Sequence, residues 1–274
     1  MHITTKTLTS WDEIHQYDNR AWIYRGESTK DRPIKTSLER FFEREMFQVD
    51  RRERLESELI RAFTRVYHHY ALHVPADESI VEWLSLLQHH GAPTRCVDFT
   101  YSIYVAAYYA LDHAAGDCVV WALNANWAVN SSIRALKSAG KTNVDVLLNP
   151  ALSGYEQAIF TALFNPPAVS CALPANPFRV NERLRIQKGV FVVTGNLVTS
   201  FMENLQAMPN WESEDHLLRI IIPVGLRRHA LEKLFYMNIS RTSLFPGLDG
   251  YAQSLGVYHP FMNPETWWSS DTSR

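Results

Sequence analysis

Short apolar runs bounded by turn residues, set between stretches of helical period, constrain this chain more than any other feature. CVVWAL (118–123), GVFVVTG (189–195) and LLRIIIP (217–223) read as strands. AWIY (21–24), ended by Arg25-Gly26, reads as a strand running into a turn. From Asp50 to about Tyr70 the apolar positions Leu55, Leu59, Phe63, Val66 and Tyr70 recur at helical spacing, with Asp50 and Glu53 as a variant capping box. A second helix is expected from near Asp77, after Pro75, to Gly91, a good C′ residue with Pro93 beyond it. Thr94 to Phe99 reads as a short strand. Ser102 then caps a helix, SIYVAAYYALDH, whose Ala106, Ala107 and Ala110 let another backbone come close.

Further helices are expected over 131–140 and 225–238, and segment 143–182 as loops with a short helix near Tyr155 to Leu163. Strands and helices are interspersed without steady βαβ alternation, which gives an α+β class: a mixed, split β-sheet core with surrounding helices. No Pro/Gly/Ser linker divides the 274 residues, so one domain is expected over 1–274.

Composition limits function. Lys plus Arg is 27 against 29 Asp plus Glu, so no global basic field recruits nucleic acid or an acidic membrane. Three cysteines, Cys96, Cys118 and Cys171, stand far apart and in no CxxC pair, which argues for a reducing compartment and against a zinc knuckle. No apolar run approaches the ~18 residues of a membrane span, and MHITTKTLTSWDEIHQY has no export h-region. The expectation is a cytoplasmic protein.

Chemistry concentrates in QHHGAPTRCVDFTYSIYVAAYYAL (88–111). On a strand, Thr94, Cys96 and Asp98 share one face, while Arg95, Val97 and Phe99 share the other. The helix from Ser102 follows at once, and its first N–H groups carry partial positive charge. A helix end with His89 and His90, a strand and a helix start can thus converge on one cleft. The bland alternative has Asp98 paired with Arg95 or capping the next helix, and His89 resting on a helix C-terminus.

WIYRGE (22–27), HHGAPTRCVDFTYSIYVAAYYAL (89–111) and NERLRIQKGVF (181–191) resemble the three signature blocks of the FRG domain family, named for an aromatic–Arg–Gly motif met here by Tyr24-Arg25-Gly26. PIKTSLER (33–40) and SLFPGLDGYAQSL (243–255) match weaker features, so the resemblance spans about residues 20 to 255. Cys96-Val97 stand for a pair of leucines, Phe99 for Trp and Glu182 for Pro.

The order of blocks is in turn similar to ADP-ribosyltransferases of the Arg–Ser–Glu type, which implies NAD as a substrate and no metal. By that resemblance Arg25 clamps the pyrophosphate or a ribose, since paired phosphates suit a planar guanidinium. Gly26 meets the nicotinamide amide. Thr94, Asp98 and Thr100 line the middle wall, and Tyr24 or Phe99 stacks on a ring. His90, Arg95 and Arg183 complete the expected binding set.

A late strand should then supply a carboxylate to steady an oxocarbenium-like centre. This chain has Gln187 there, which leaves Asp98, Glu27 or Glu182 for that role. Alternatively Arg25 pairs with Glu27, Gln187 satisfies a loop and Arg183 makes a salt bridge. The implied activity is transfer of ADP-ribose to a macromolecule (protein, DNA or RNA), or NAD hydrolysis, in a toxin or phage-defence effector.

Three rivals stand beside it. His69 and His73, at i and i+4 on the expected first long helix and close to His68, have a spacing that can hold a metal. Cys96, near Asp98, is a candidate thiol nucleophile. The strongest rival is a non-catalytic nucleotide or nucleic-acid sensor, drawn from Arg51, Arg52, Arg54, Arg61 and Arg65 among many aromatics.

Overall fold

The computed structural model describes residues 3–212 and 216–255. The expectation of one domain over 1–274 extends on both sides of those limits, and residues 1–2, 213–215 and 256–274 lie outside the described residues. Seven strands form one sheet: β1 (Thr4–Thr7), β2 (Trp22–Glu27), β3 (Cys96–Thr100), β4 (Cys118–Asn124), β5 (Ala172–Ala175), β6 (Gly189–Thr194) and β7 (Leu217–Ile222). Their order is β1-β7-β4-β2-β3-β6-β5. Only β1 and β7 run parallel; every other neighbouring pair is antiparallel. The architecture is mixed α+β.

The surrounding helices are α1 (Ser37–Arg44), α2 (Arg52–Tyr67), α3 (Ile80–His89), α4 (Ile103–Asp112), α5 (Ala125–Ser138), α6 (Tyr155–Phe164), α7 (Glu182–Ile186), α8 (Phe201–Gln206), α9 (Arg227–Tyr236), α10 (Arg241–Leu244) and α11 (Leu248–Ser254). Strand alternation divides the core between the two faces. Val119, Trp121 and Leu123 of β4 join Ile23 and the apolar side of α3, α5 and α6. Val120 and Ala122 join Tyr24, α4 and α9 on the opposite side. Such a strand, buried on both faces, reads as the continuous apolar run seen in CVVWAL.

One feature of the register shapes the sheet. β2 pairs with β4 over six residues and β3 with β6 over five, yet β2 and β3 meet only at Tyr24↔Thr100. The sheet is therefore two blocks, β1-β7-β4-β2 and β3-β6-β5, hinged on a single residue pair.

Several expectations need correction. The chain does not turn at Arg25-Gly26: β2 runs on to Glu27, because Arg25 pairs with Trp121 and Gly26 with Val120. α2 has no capping box; Asp50 lies in a 3-10 turn and the helix starts behind Arg51 without a side-chain cap. α2 also ends at Tyr67, short of Tyr70. The third block is a short helix, α7, capped by Asn181, with Gln187 at its C-cap rather than on a strand.

Candidate functional site

The lone pair between β2 and β3 leaves a gap beyond it, and a hollow of about 190 Å³ opens there. Its walls are Tyr24, Arg25 and Gly26 of β2, Asp98, Phe99 and Thr100 of β3, Ala106 and Tyr109 of α4, and Arg183 and Gln187 around α7. A second hollow of about 60 Å³ shares Asp98, Arg183 and Gln187 as walls. It adds Ser85, Gln88 and His89 from one face of α3, with Asn181. Each alone is smaller than the ~300–1,000 Å³ of ordinary ligand clefts, and the shared walls make them neighbouring lobes of one trough.

Several wall residues also brace the gap. Arg25 Nη1 donates to the Asp98 carbonyl across the split (2.9 Å), while Nε and Nη2 donate to Glu27 Oε1 at 2.9 and 2.7 Å. Thr100 Oγ1 donates to the Gln187 carbonyl (2.7 Å) and accepts from Ser102 N–H (3.1 Å). Gln187 Nε2 donates to the Leu244 carbonyl at 3.0 Å, which ties α7 to α10. The pairing of Arg25 with Glu27 and the loop-holding role of Gln187 are thus present, on residues that also face the hollow.

Four groups face the trough without such commitments. The Asp98 side chain, exposed despite its place on a strand, accepts no hydrogen bond among the described residues. Arg183 has no acidic partner among them and lies over the Phe245 ring, 5.2 Å from its centroid. His89 has no hydrogen-bond partner among them; partial burial, with the charges of His90 and Arg183, lowers its pKa and favours neutral imidazole. The Tyr109 hydroxyl is buried and has no partner in the described structure. Burial pushes its pKa up, against the pull of Arg183, so it stays a protonated donor.

Of the carboxylates weighed for the late position, the trough holds Asp98. Glu27 is buried and holds Arg25, with Arg32 at 3.6 Å. Glu182 is exposed in the first turn of α7 and belongs to neither wall.

Three expected residues are not brought to the trough. Thr94 is buried, its hydroxyl donating to Gln88 Oε1 and its N–H to Ser37 Oγ (2.9 Å). Arg95 faces the other way: a buried guanidinium demands a partner, and α2 supplies Glu56, bonded from Nε at 2.8 and 2.9 Å. The alternative Asp98–Arg95 pair does not form. His90 packs on Phe63, with ring centroids 6.3 Å apart; its neighbour His89 turns to the trough.

Two assigned contacts also change character. Tyr24 is fully buried, with its hydroxyl donating to the Tyr17 carbonyl (2.5 Å), so its ring packs against α4 rather than being free to stack. Gly26 is required by α4: a Cβ there would stand 1.9 Å from the Ala106 carbonyl oxygen.

Sequence reasoning brought His89 to the cleft with its helix end but gave the binding role to His90, and it passed over Tyr109. Helical phase held a signal for Tyr109, which lies one turn from Ala106. The rivals fare differently. α2 stops before His69, and His73 contacts Glu82 (3.1 Å) instead; among the described residues no group of three ligands could hold a metal. Cys96 is buried, and burial pushes its thiol pKa far up, so the thiolate is disfavoured. No helix among the described residues is long and apolar enough to cross a membrane.

Searches of curated proteins and of solved structures find no match to this chain. A family model does match, over a stretch that ends before NERLRIQKGVF and so leaves α7 outside it. Residues 20–117 match the FRG domain family, which places both lips of the split sheet, Arg25 and Asp98 among them, in the FRG part of the chain.

Proposed function

We propose that the trough binds NAD and that the chain is an ADP-ribosyltransferase-like enzyme of a reducing, cytoplasmic compartment. It would pass ADP-ribose to a macromolecular acceptor or to water, in the toxin or phage-defence setting that the resemblance implies. The observation that carries this reading is the split between β2 and β3, whose gap gathers Arg25, Asp98 and Arg183 around one hollow. A dinucleotide brings paired anions, two sugars and a flat ring. Arg183, with no acidic partner among the described residues, supplies a guanidinium for the anions. Phe99 and Tyr109 border the hollow with aromatic surface. Asp98, whose carboxylate accepts no hydrogen bond among the described residues, would supply the negative charge that an oxocarbenium-like centre calls for.

Within this reading Arg25 acts as a brace that also faces the ligand, since three of its five N–H groups already serve the protein. Gln187 orients by position and holds the far wall. One observation favours a second reading, binding without turnover: the late position carries an amide that is already bonded to Leu244.

The test is NAD labelled in its adenylate half, incubated with the full chain and lysate, with nicotinamide release measured in parallel. Asp98→Asn and Arg183→Ala are chosen because neither side chain makes an ion pair among the described residues, with circular dichroism to check folding. Turnover lost by more than about tenfold in Asp98→Asn, with NAD still raising the melting temperature, supports the enzyme. A thermal shift without nicotinamide release leaves the binding module. Neither shift nor release rejects NAD.

A further inference from the structure

α2 carries its arginines in two different states. In its first half Arg54 pairs with Glu58 at 2.8 Å, and Arg52 donates to the Leu197 and Val198 carbonyls at 3.0 and 3.2 Å. In its second half Arg61 and Arg65, one turn apart, are exposed and have no hydrogen-bond or ionic partner among the described residues. From Leu59 to Ala76 the chain holds Arg61, Arg65, His68, His69 and His73 and not one Asp or Glu. The next acids along the chain are Asp77 and Glu78; Glu82, in contact with His73, is buried.

Large rings stand out of the same region. Tyr70 is 85% exposed just past the end of α2. Phe178 is 76% exposed, and its neighbour Arg179 reaches His73 Nε2 at 2.6 Å, which brings that loop to the basic segment. The apolar face of α2 is satisfied elsewhere, with Phe63 and Tyr67 against Trp83 of α3. The packing of the domain uses neither these two guanidiniums nor these two rings, all of which stand on the surface.

We infer that this surface binds single-stranded nucleic acid, with Arg61 and Arg65 on phosphates and Tyr70 and Phe178 stacked on bases. Planar guanidiniums suit phosphate oxygens, and exposed rings suit unpaired bases, whose faces a duplex conceals. An acidic protein segment would use the cations but has no use for the rings. The inference stands apart from the NAD reading, and either can fail alone.

The experiment is fluorescence anisotropy of the full chain with a labelled mixed-sequence oligonucleotide, single-stranded DNA and RNA in separate arms, across a salt series. All four substituted side chains lie on the surface, and melting temperatures confirm folding. Arg61→Ala with Arg65→Ala should weaken binding at least about tenfold and flatten the log–log salt slope by about 1.4, two phosphates at ~0.7 each. Tyr70→Ala with Phe178→Ala should weaken binding several-fold with the slope unchanged. No binding of either oligonucleotide at low salt overturns the inference. So does binding indifferent to either pair of substitutions, or equal competition by a blunt duplex or by poly-glutamate.

Discussion

Gly26 shows how much a single residue decides. The carbonyl of Ala106 and the amide of Ala110 fill the space where a side chain would begin, so β2 and α4 are in backbone contact there. Gly26→Ala is expected to cost at least the ~1–3 kcal/mol of an overpacked core, read as a lower urea midpoint at unchanged m. The run of alanines announced that closeness in the sequence; the partner strand was not legible, because a glycine after a strand reads equally as a turn. Arg95 teaches the complementary lesson. Its strand phase was readable, yet its partner Glu56 comes from 39 residues earlier in the chain, and no local pattern joins the two. Glu56→Ala leaves an unpaired buried guanidinium and is expected to lower stability by about 3–5 kcal/mol in equilibrium unfolding, whereas Glu58→Ala, at an exposed pair, should cost under ~1 kcal/mol.

Elements were legible where their chemistry is local. Ser102 accepts from Val105 N–H as its position before α4 implies, and Gly91 takes a left-handed φ of 84° just past α3. β1 and β5 were missed for opposite reasons: TTKT is polar and paired on one edge only, and ALPA carries Pro174, which reads as a strand breaker. α6 adds a pH dependence of its own. Glu156 accepts from the N–H groups of Val81 (3.0 Å) and Phe178 (2.9 Å), yet burial outweighs those bonds and raises its pKa. The folded state therefore holds this proton more tightly than the unfolded chain does. Its stabilising contribution is complete below the ordinary glutamate pKa and is lost as pH rises through the raised value. The stability of wild type relative to Glu156→Gln should accordingly fall as pH rises above the ordinary glutamate pKa of about 4.3, measured by urea unfolding at each pH.

At the scale of the whole molecule, the α+β class was readable from the interspersed runs, while the strand order was not, since β2 lies between β3 and β4 only through long-range pairing. The trough was half legible for the same cause. Arg25, Asp98, Arg183 and Gln187 were identifiable from motif blocks and His89 from its helix end, whereas Tyr109 needed helical phase against a sheet whose order was unknown. Arg25 crosses the split, so Arg25→Lys, which keeps charge but loses the planar fork, should speed amide exchange at the facing edges of β2 and β3 while leaving β4 and β7 slow. A seam closed by one residue pair and one side chain is a joint rather than a weld. Any molecule that bonds to both lips becomes a splint, and would be recognised first by the quietening of those edges and only afterwards by a rise in overall melting temperature.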